Sequence, residues 1–315
     1  MNNSKLKNQH STFTPSHPLN TAVLFLVFNR PDTTKQVFEA IQQAKPPRLY
    51  IAADGARESK EGESETVKAV REFVMQNIDW ECEVKTLFRG ENLGCKMAVS
   101  GAIDWFFDNE EMGIILEDDC LPSQSFFWFC EELLERYKDD MRVWNVGGYK
   151  FPHLNGDEYS YNFSRYTHIW GWASWANRWK YYDVTLSQYK ENKKLLNEYE
   201  FFRENFENSS RIKILDKVVS GEIDTWDYQW NFTVRINNGL SIRPSVNLIA
   251  NIGFGEEATH TLGDNKEIEN NTASQISLPL NHPEFIMIYK KDDEIFGKNN
   301  LVHGFLSRIK RKLNG

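Results

Sequence analysis

The chain has 315 residues, 40% apolar and 26% charged, with a net charge of −8, which suits a soluble globular protein with one large α/β domain. The acidic balance argues against nucleic acid as the main partner. The longest strongly apolar stretch, Ala22 to Phe28, is far short of the roughly 20 residues that a bilayer-crossing helix needs.

Met1 to Asn20 is polar, lacks the apolar segment of a signal peptide, and reads as a disordered lead-in. Thr21 to Phe28 reads as a buried strand and Asn29-Arg30-Pro31-Asp32 as a turn. Thr33 and Gln36 fit a capping box that opens a helix with Val37 and Ile41 on one face. Arg48 to Ala53 is a second strand ending at Asp54-Gly55. The charged stretch Arg57 to Glu65 reads as a solvated loop running into a helix through about Asn77. Glu81 to Phe88 makes a third strand, Asn92-Leu93-Gly94 a turn, and Val99, Ala102, Ile103 and Phe106 the face of the next helix.

A fourth strand, Gly113 to Leu116, delivers Glu117, Asp118 and Asp119 to its end. Phe126, Cys130, Leu133 and Tyr137 then form the inward stripe of an aromatic helix, and Arg142 to Val146 is a fifth strand. Strands alternating with amphipathic helices predict a mainly parallel, Rossmann-like sheet with right-handed crossovers. Tyr149 to Tyr182 is aromatic-rich with weak periodicity, predicting loops and short strands that wall a pocket. Leu186 to about Val219 is helical and polar, and Gly239 to Asn251 is expected to be a strand pair closing the sheet.

Phe305, Ile309 and Leu313 share a face among Arg308, Lys310, Arg311 and Lys312, readable as a surface helix drawn to anionic lipid or as a solvated basic tail. The expected organisation is a lead-in over 1–20, one α/β domain over 21–290 that divides into halves over about 21–148 and about 149–290, and a basic tail over 291–315. Four cysteines without CxxC spacing, Cys82, Cys95, Cys120 and Cys130, point to reduced thiols in a cytoplasmic protein.

The acidic triplet is the most telling feature. Three adjacent carboxylates at the rim of a core repel one another and lose hydration, a burden relieved when a divalent cation and ligand hydroxyls share them. Ligands of open α/β sheets bind beyond the carboxyl ends of the strands, where Asn29-Arg30, Asp54-Gly55 and the triplet all fall. An exposed acidic turn is the plainer reading of the triplet alone.

These segments resemble the GT-A glycosyltransferases, and among them the N-acetylglucosaminyltransferase I family and its bacterial relatives. Val27-Phe28-Asn29-Arg30 resembles the family's first-strand segment, whose Arg lies near the nucleotide. Ala52-Ala53-Asp54-Gly55 resembles the second-strand end, whose Asp contacts uracil. Leu116-Glu117-Asp118-Asp119 is similar to the family's Glu-Asp-Asp motif. The resemblance implies a GT-A fold, a nucleotide-sugar donor bound by Phe28, Arg30, Asp54, Glu117 and Asp118, and Mn²⁺ or Mg²⁺ held by Asp119. Thr225-Trp226-Asp227-Tyr228-Gln229-Trp230 and Ser241-Ile242-Arg243-Pro244-Ser245 resemble the family's base segment and a later strand, making Asp227 the general base. Tyr228 stands where the family has a second Asp, so Asp224 remains a rival.

The chemistry suits these residue types. A metal bridging two phosphates stabilises a nucleoside diphosphate leaving group, hard cations take carboxylate oxygens, and an Asp across the sugar takes the acceptor's proton, so that in-line attack inverts the anomeric carbon. Lys96, at a helix start after the Asn92-Gly94 turn, fits a diphosphate contact through the helix N-terminus and equally a solvated lysine. His260 is readable as a metal or phosphate ligand, or as a surface residue. Trp170 and Trp172 fit sugar stacking and core packing alike. The expected acceptor is a glycan or lipid-linked glycan. The expected place is the cytoplasm, with peripheral membrane contact through the basic tail. The alternative is a degenerate protein of the same fold that binds carbohydrate or nucleotide sugar without turnover.

Overall fold

A computed structural model describes residues 13–152, 154, 158–196, 205–253, 271–290 and 293, of which 205–211 are described by backbone alone. Four strands and three helices alternate at the start: β1 (Ala22–Val27), α1 (Pro31–Ala44), β2 (Arg48–Ala53), α2 (Glu63–Gln76), β3 (Glu83–Phe88), α3 (Gly94–Phe107) and β4 (Met112–Glu117). A short strand β5 (Cys120–Pro122), helix α4 (Gln124–Tyr137) and strands β6 (Val143–Gly147), β7 (Tyr161–Ser164) and β8 (Trp172–Trp175) follow. Helices α5 (Ala176–Trp179), α6 (Ser187–Leu196), α7 (Asn205–Val219) and α8 (Asp227–Ile236) lead to β9 (Leu240–Pro244) and β10 (Ile249–Asn251).

The large sheet runs in the order β3-β2-β1-β4-β8-β6-β9-β7. β1, β2, β3 and β4 pair in parallel, β8 runs against both β4 and β6, and β9 lies parallel to β6 and antiparallel to β7. The protein is thus mixed α/β, with a large and mostly parallel sheet flanked by helices. The same sheet continues through the segments on both sides of Gly148.

The period-2 alternation of a strand decides which face each side chain meets. Val23, Phe25 and Val27 of β1 enter one core with Val37, Phe38 and Ile41 of α1 and Phe126, Phe127 and Cys130 of α4. Ala22, Leu24 and Leu26 enter the other, with Ala102, Ile103 and Phe106 of α3 and Trp172, Trp179, Trp226 and Trp230. On β2 the second face takes Tyr50 and Ala52, and on β4 it takes Ile115. The next residues in phase, Asp54 and Glu117, therefore emerge on the α3 side of the rim.

Several expectations are corrected. The capping box does not form: α1 starts at Pro31, and its N-cap Arg30 makes no side-chain cap bond. Proline suits the first helical position because its missing N–H has no partner to lose there. Of the expected lead-in, residues 13–20 are described: Leu19 is buried, the Phe13 ring lies 5.3 Å from Trp128 and the Trp128 indole donates to His17 O at 2.9 Å. β9 and β10 do not close the sheet as a pair: β9 inserts between β6 and β7, whereas β10 pairs antiparallel with β5. The four cysteines are free. Among the described residues no helix is long and apolar enough to cross a membrane. His260 and the basic tail lie outside the described residues.

Candidate active site

The parallel strands β1, β2 and β4 end together, so Arg30, Asp54 and the acidic triplet share one rim. Arg30 Nη1 donates to Asp119 Oδ2 at 2.7 Å and lies 3.6 Å from Asp118 Oδ1. Burial and the neighbouring Asp119 nevertheless push Asp118 up to about 7. Glu117 is raised well above the usual carboxylate range by burial first and then by Asp119, Asp118 and Asp227. Its Oε1 is buried and has no hydrogen-bond partner among the described residues.

The backbone closes tightly over Asp119. Ile252 N–H donates to its carbonyl at 2.8 Å, and a Cβ on Gly253 would stand 2.2 Å from Asp119 Oδ2. Only glycine allows that approach.

Two carboxylates meet the N-terminus of α3. Asp54 accepts Leu93 N–H at 2.9 Å and Gly94 N–H at 3.2 Å, and Asp224 accepts Cys95 N–H at 2.8 Å and Lys96 N–H at 3.2 Å. The sequence offers these amides to a diphosphate; the fold gives all four to its own side chains. Lys96, expected at an anion site, lies on the same turn, and Asp224, the rival of Asp227 for the role of base, is bonded through both oxygens to that turn. Burial raises Asp54 above its ordinary value, while the Leu93, Gly55 and Gly94 amides oppose the rise.

Asp227 opens α8, and the Thr225 hydroxyl donates to its Oδ1. Its charge reaches Glu117, Cys95 and Tyr182, raising each. Trp226, 2% exposed, stacks on Trp172 at 5.6 Å and 21°, and its carbonyl accepts the Tyr182 hydroxyl at 3.0 Å. Trp172 is accordingly core and not a sugar platform. Trp170 is half-buried, with its ring 4.6 Å from Tyr149.

The charged stretch after Gly55 is not merely solvated. Glu63 is buried and accepts the Asn29 amide at 2.8 Å and the Arg57 N–H at 2.7 Å, and it forms a close ion pair with the Arg57 guanidinium. Arg57 in turn lies over the Phe28 ring, 5.5 Å from its centroid. Sequence reasoning missed this return, and a glutamate at a helix start after Gly62 was the available signal.

Asp119 could hold a divalent cation through hard oxygen donors. Among the described residues no three His, Cys, Asp or Glu are grouped to cage a metal. The fit is therefore to a single protein attachment at most, with the remaining donors brought by a ligand.

No family model and no curated protein matches the sequence. Among solved structures, the mannosyltransferase PcManGT from Pyrobaculum calidifontis in complex with GDP-Man and Mn²⁺ is similar at 11% identity and a TM-score of 0.40, covering 71% of this chain and 70% of that one. Residues 1–349 of S. aureus TarS are similar at 10% identity and a TM-score of 0.41, covering 73% and 59%. The galactosyltransferase LgtC in complex with donor and acceptor sugar analogs is similar at 13% identity and a TM-score of 0.33, covering 57% and 67%.

Proposed function

We propose that the chain is a glycosyltransferase of the GT-A type that moves a sugar from a UDP-sugar to a hydroxyl of a glycan or lipid-linked glycan, with inversion at the anomeric carbon. The observation that carries this reading is the convergence at one sheet rim of Glu117, Asp118 and Asp119 with Arg30, and of Asp227 close enough to raise Glu117.

In this reading Phe28 and Asp54 line the nucleoside pocket, Asp118 holds the ribose hydroxyls, and Arg30 leans toward the phosphates. Asp119 holds Mn²⁺ or Mg²⁺, which when bound stabilises the charge of the leaving diphosphate. Glu117, raised above the usual carboxylate range by its buried setting, adds less repulsion to the triplet than an exposed glutamate would. Asp227 accepts the proton of the acceptor hydroxyl as its oxygen bonds to the anomeric carbon and the bond from that carbon to the diphosphate breaks. Such general-base help contributes roughly 10²–10⁴ in rate.

The test is a thermal-melting screen of nucleotide sugars with and without Mn²⁺, followed by UDP release from the best donor. A donor at about 100 times its dissociation constant should add roughly 2.7 kcal/mol of stability, and Asp119→Ala should abolish the metal-dependent part. Asp227→Asn should keep the melting shift and lose turnover by roughly 10²–10⁴. No metal-dependent shift with any nucleotide sugar, or full turnover in Asp227→Asn, overturns the reading.

A further inference from the structure

We infer that Asp224 is a positioning residue: by clamping the first turn of α3 it sets Asp227 against the acidic rim. The inference rests on the reading of Asp227 as general base and adds how that base is held.

The first amides of a helix have no partner within it, and the helix dipole attracts negative charge there. Here four consecutive amides, Leu93 to Lys96, are divided between Asp54 from the end of β2 and Asp224 from a segment about 130 residues later, with all four contacts between 2.8 and 3.2 Å. Gly94 makes room for the clamp, since its φ of +77° is left-handed and a Cβ there would stand 2.7 Å from Asp224 Oδ2. A side chain this exposed gains little from packing, so the amides hold it.

Two residues separate Asp224 from Asp227. Between them Thr225 and Trp226 are buried, with Trp226 fixed by the Trp172 stack and the Tyr182 hydroxyl. The segment is thus tied at a polar point on α3 and at an apolar point in the tryptophan core, and Asp227 is the next residue. The Cys95 thiol, raised first by burial, is raised further by the charges of Glu117, Asp224, Asp227 and Asp54. With its two oxygens on backbone amides of α3, Asp224 is placed as an anchor.

The experiment uses the full chain with Mn²⁺ and whichever of UDP-glucose, UDP-galactose and UDP-N-acetylglucosamine gives the largest melting shift, reading UDP release into water. A base displaced by about 1 Å loses roughly 10²-fold, so Asp224→Ala should lose about that in kcat while the KM for donor moves less than about twofold. Asp224→Asn keeps one acceptor oxygen and should recover part of the loss; it carries the comparison if the alanine variant does not fold. Because Asp224 acts through Asp227, the double variant Asp224→Ala/Asp227→Asn should be no slower than Asp227→Asn alone. Amide exchange at Cys95 and Lys96 should quicken in Asp224→Ala. Multiplying losses in the double variant, or wild-type turnover in Asp224→Ala, overturns the positioning role and leaves the base in place. Wild-type turnover in Asp227→Asn overturns the base, and the positioning role with it.

Discussion

Replacing Arg30 by methionine separates two roles that the rim assigns to one guanidinium. Arg30 is three-quarters buried and bonded to Asp119 at 2.7 Å, with Asp118 at 3.6 Å. A hydrogen bond between charged groups contributes about 1.5–3 kcal/mol. Removing the cation leaves three carboxyls that can relax by holding another proton, so about 2 kcal/mol is the reasonable loss. At roughly 2 °C per kcal/mol for a chain of this size, Arg30→Met should melt about 4 °C lower in metal-free buffer. The same substitution frees Asp119 Oδ2, which cannot hold a guanidinium nitrogen and a metal ion at full strength together. Mn²⁺ alone should therefore stabilise the variant more than the wild type, with an affinity gain of about tenfold for each 1.4 kcal/mol released. Nucleotide sugar with Mn²⁺ should do the reverse, because the variant lacks a cation for the phosphates. Melting curves across a Mn²⁺ series, with and without UDP-glucose, read both signs. An Mn²⁺ response equal to or smaller than that of the wild type refutes the competition.

Gly253→Ala should abolish the metal-dependent response to nucleotide sugar at an overpacking cost of about 1–3 kcal/mol, since the new Cβ would meet Asp119 Oδ2 at 2.2 Å; an undiminished response in a melting assay counts against the assignment of Asp119. The Arg57 ion pair holds Glu63 down to about 2 from an ordinary value of 4.5. A depressed carboxylate stabilises the fold above its unfolded value and loses that contribution as pH falls through its folded value. The advantage of wild type over Glu63→Gln should thus be full at about pH 6 and shrink steadily toward about pH 3. Discounted for the partly exposed Arg57, it amounts to about 1.5 kcal/mol. Denaturant unfolding of both proteins at several pH values measures it, and a pH-independent difference would show that Glu63 acts through packing alone.

What could be read in advance follows from range. The placement of Arg30, Asp54 and Asp119 at one rim needs only the alternation of strands and helices, and the face on which Asp54 and Glu117 emerge follows from counting by two along β2 and β4. The start of α1 was misplaced because two local signals competed, and Pro31 outweighed the Thr33 and Gln36 pair. The pairing of β10 with β5, and of Asp224 with α3, join residues about 130 apart in sequence. No local pattern encodes such a partner, because an exposed aspartate near a helix start has the same sequence signature whether it caps its own helix or another.

That distant cap changes the chemical meaning of the rim. Six carboxyls, those of Asp54, Glu117, Asp118, Asp119, Asp224 and Asp227, gather near the ends of β2, β4 and the start of α3. As bare charges they would repel by more than one arginine can offset. Backbone amides at the α3 start answer two of them. Arg30 answers Asp118 at 3.6 Å and Asp119 at 2.7 Å. Thr225 bonds to Asp227, and burial raises Glu117 above the usual carboxylate range. A charged residue inserted beside Asp224 would therefore do more than alter a loop. A basic one would compete with the α3 amides for Asp224 and loosen the segment that carries Asp227, so a change at this exposed point should reach the base side of the site.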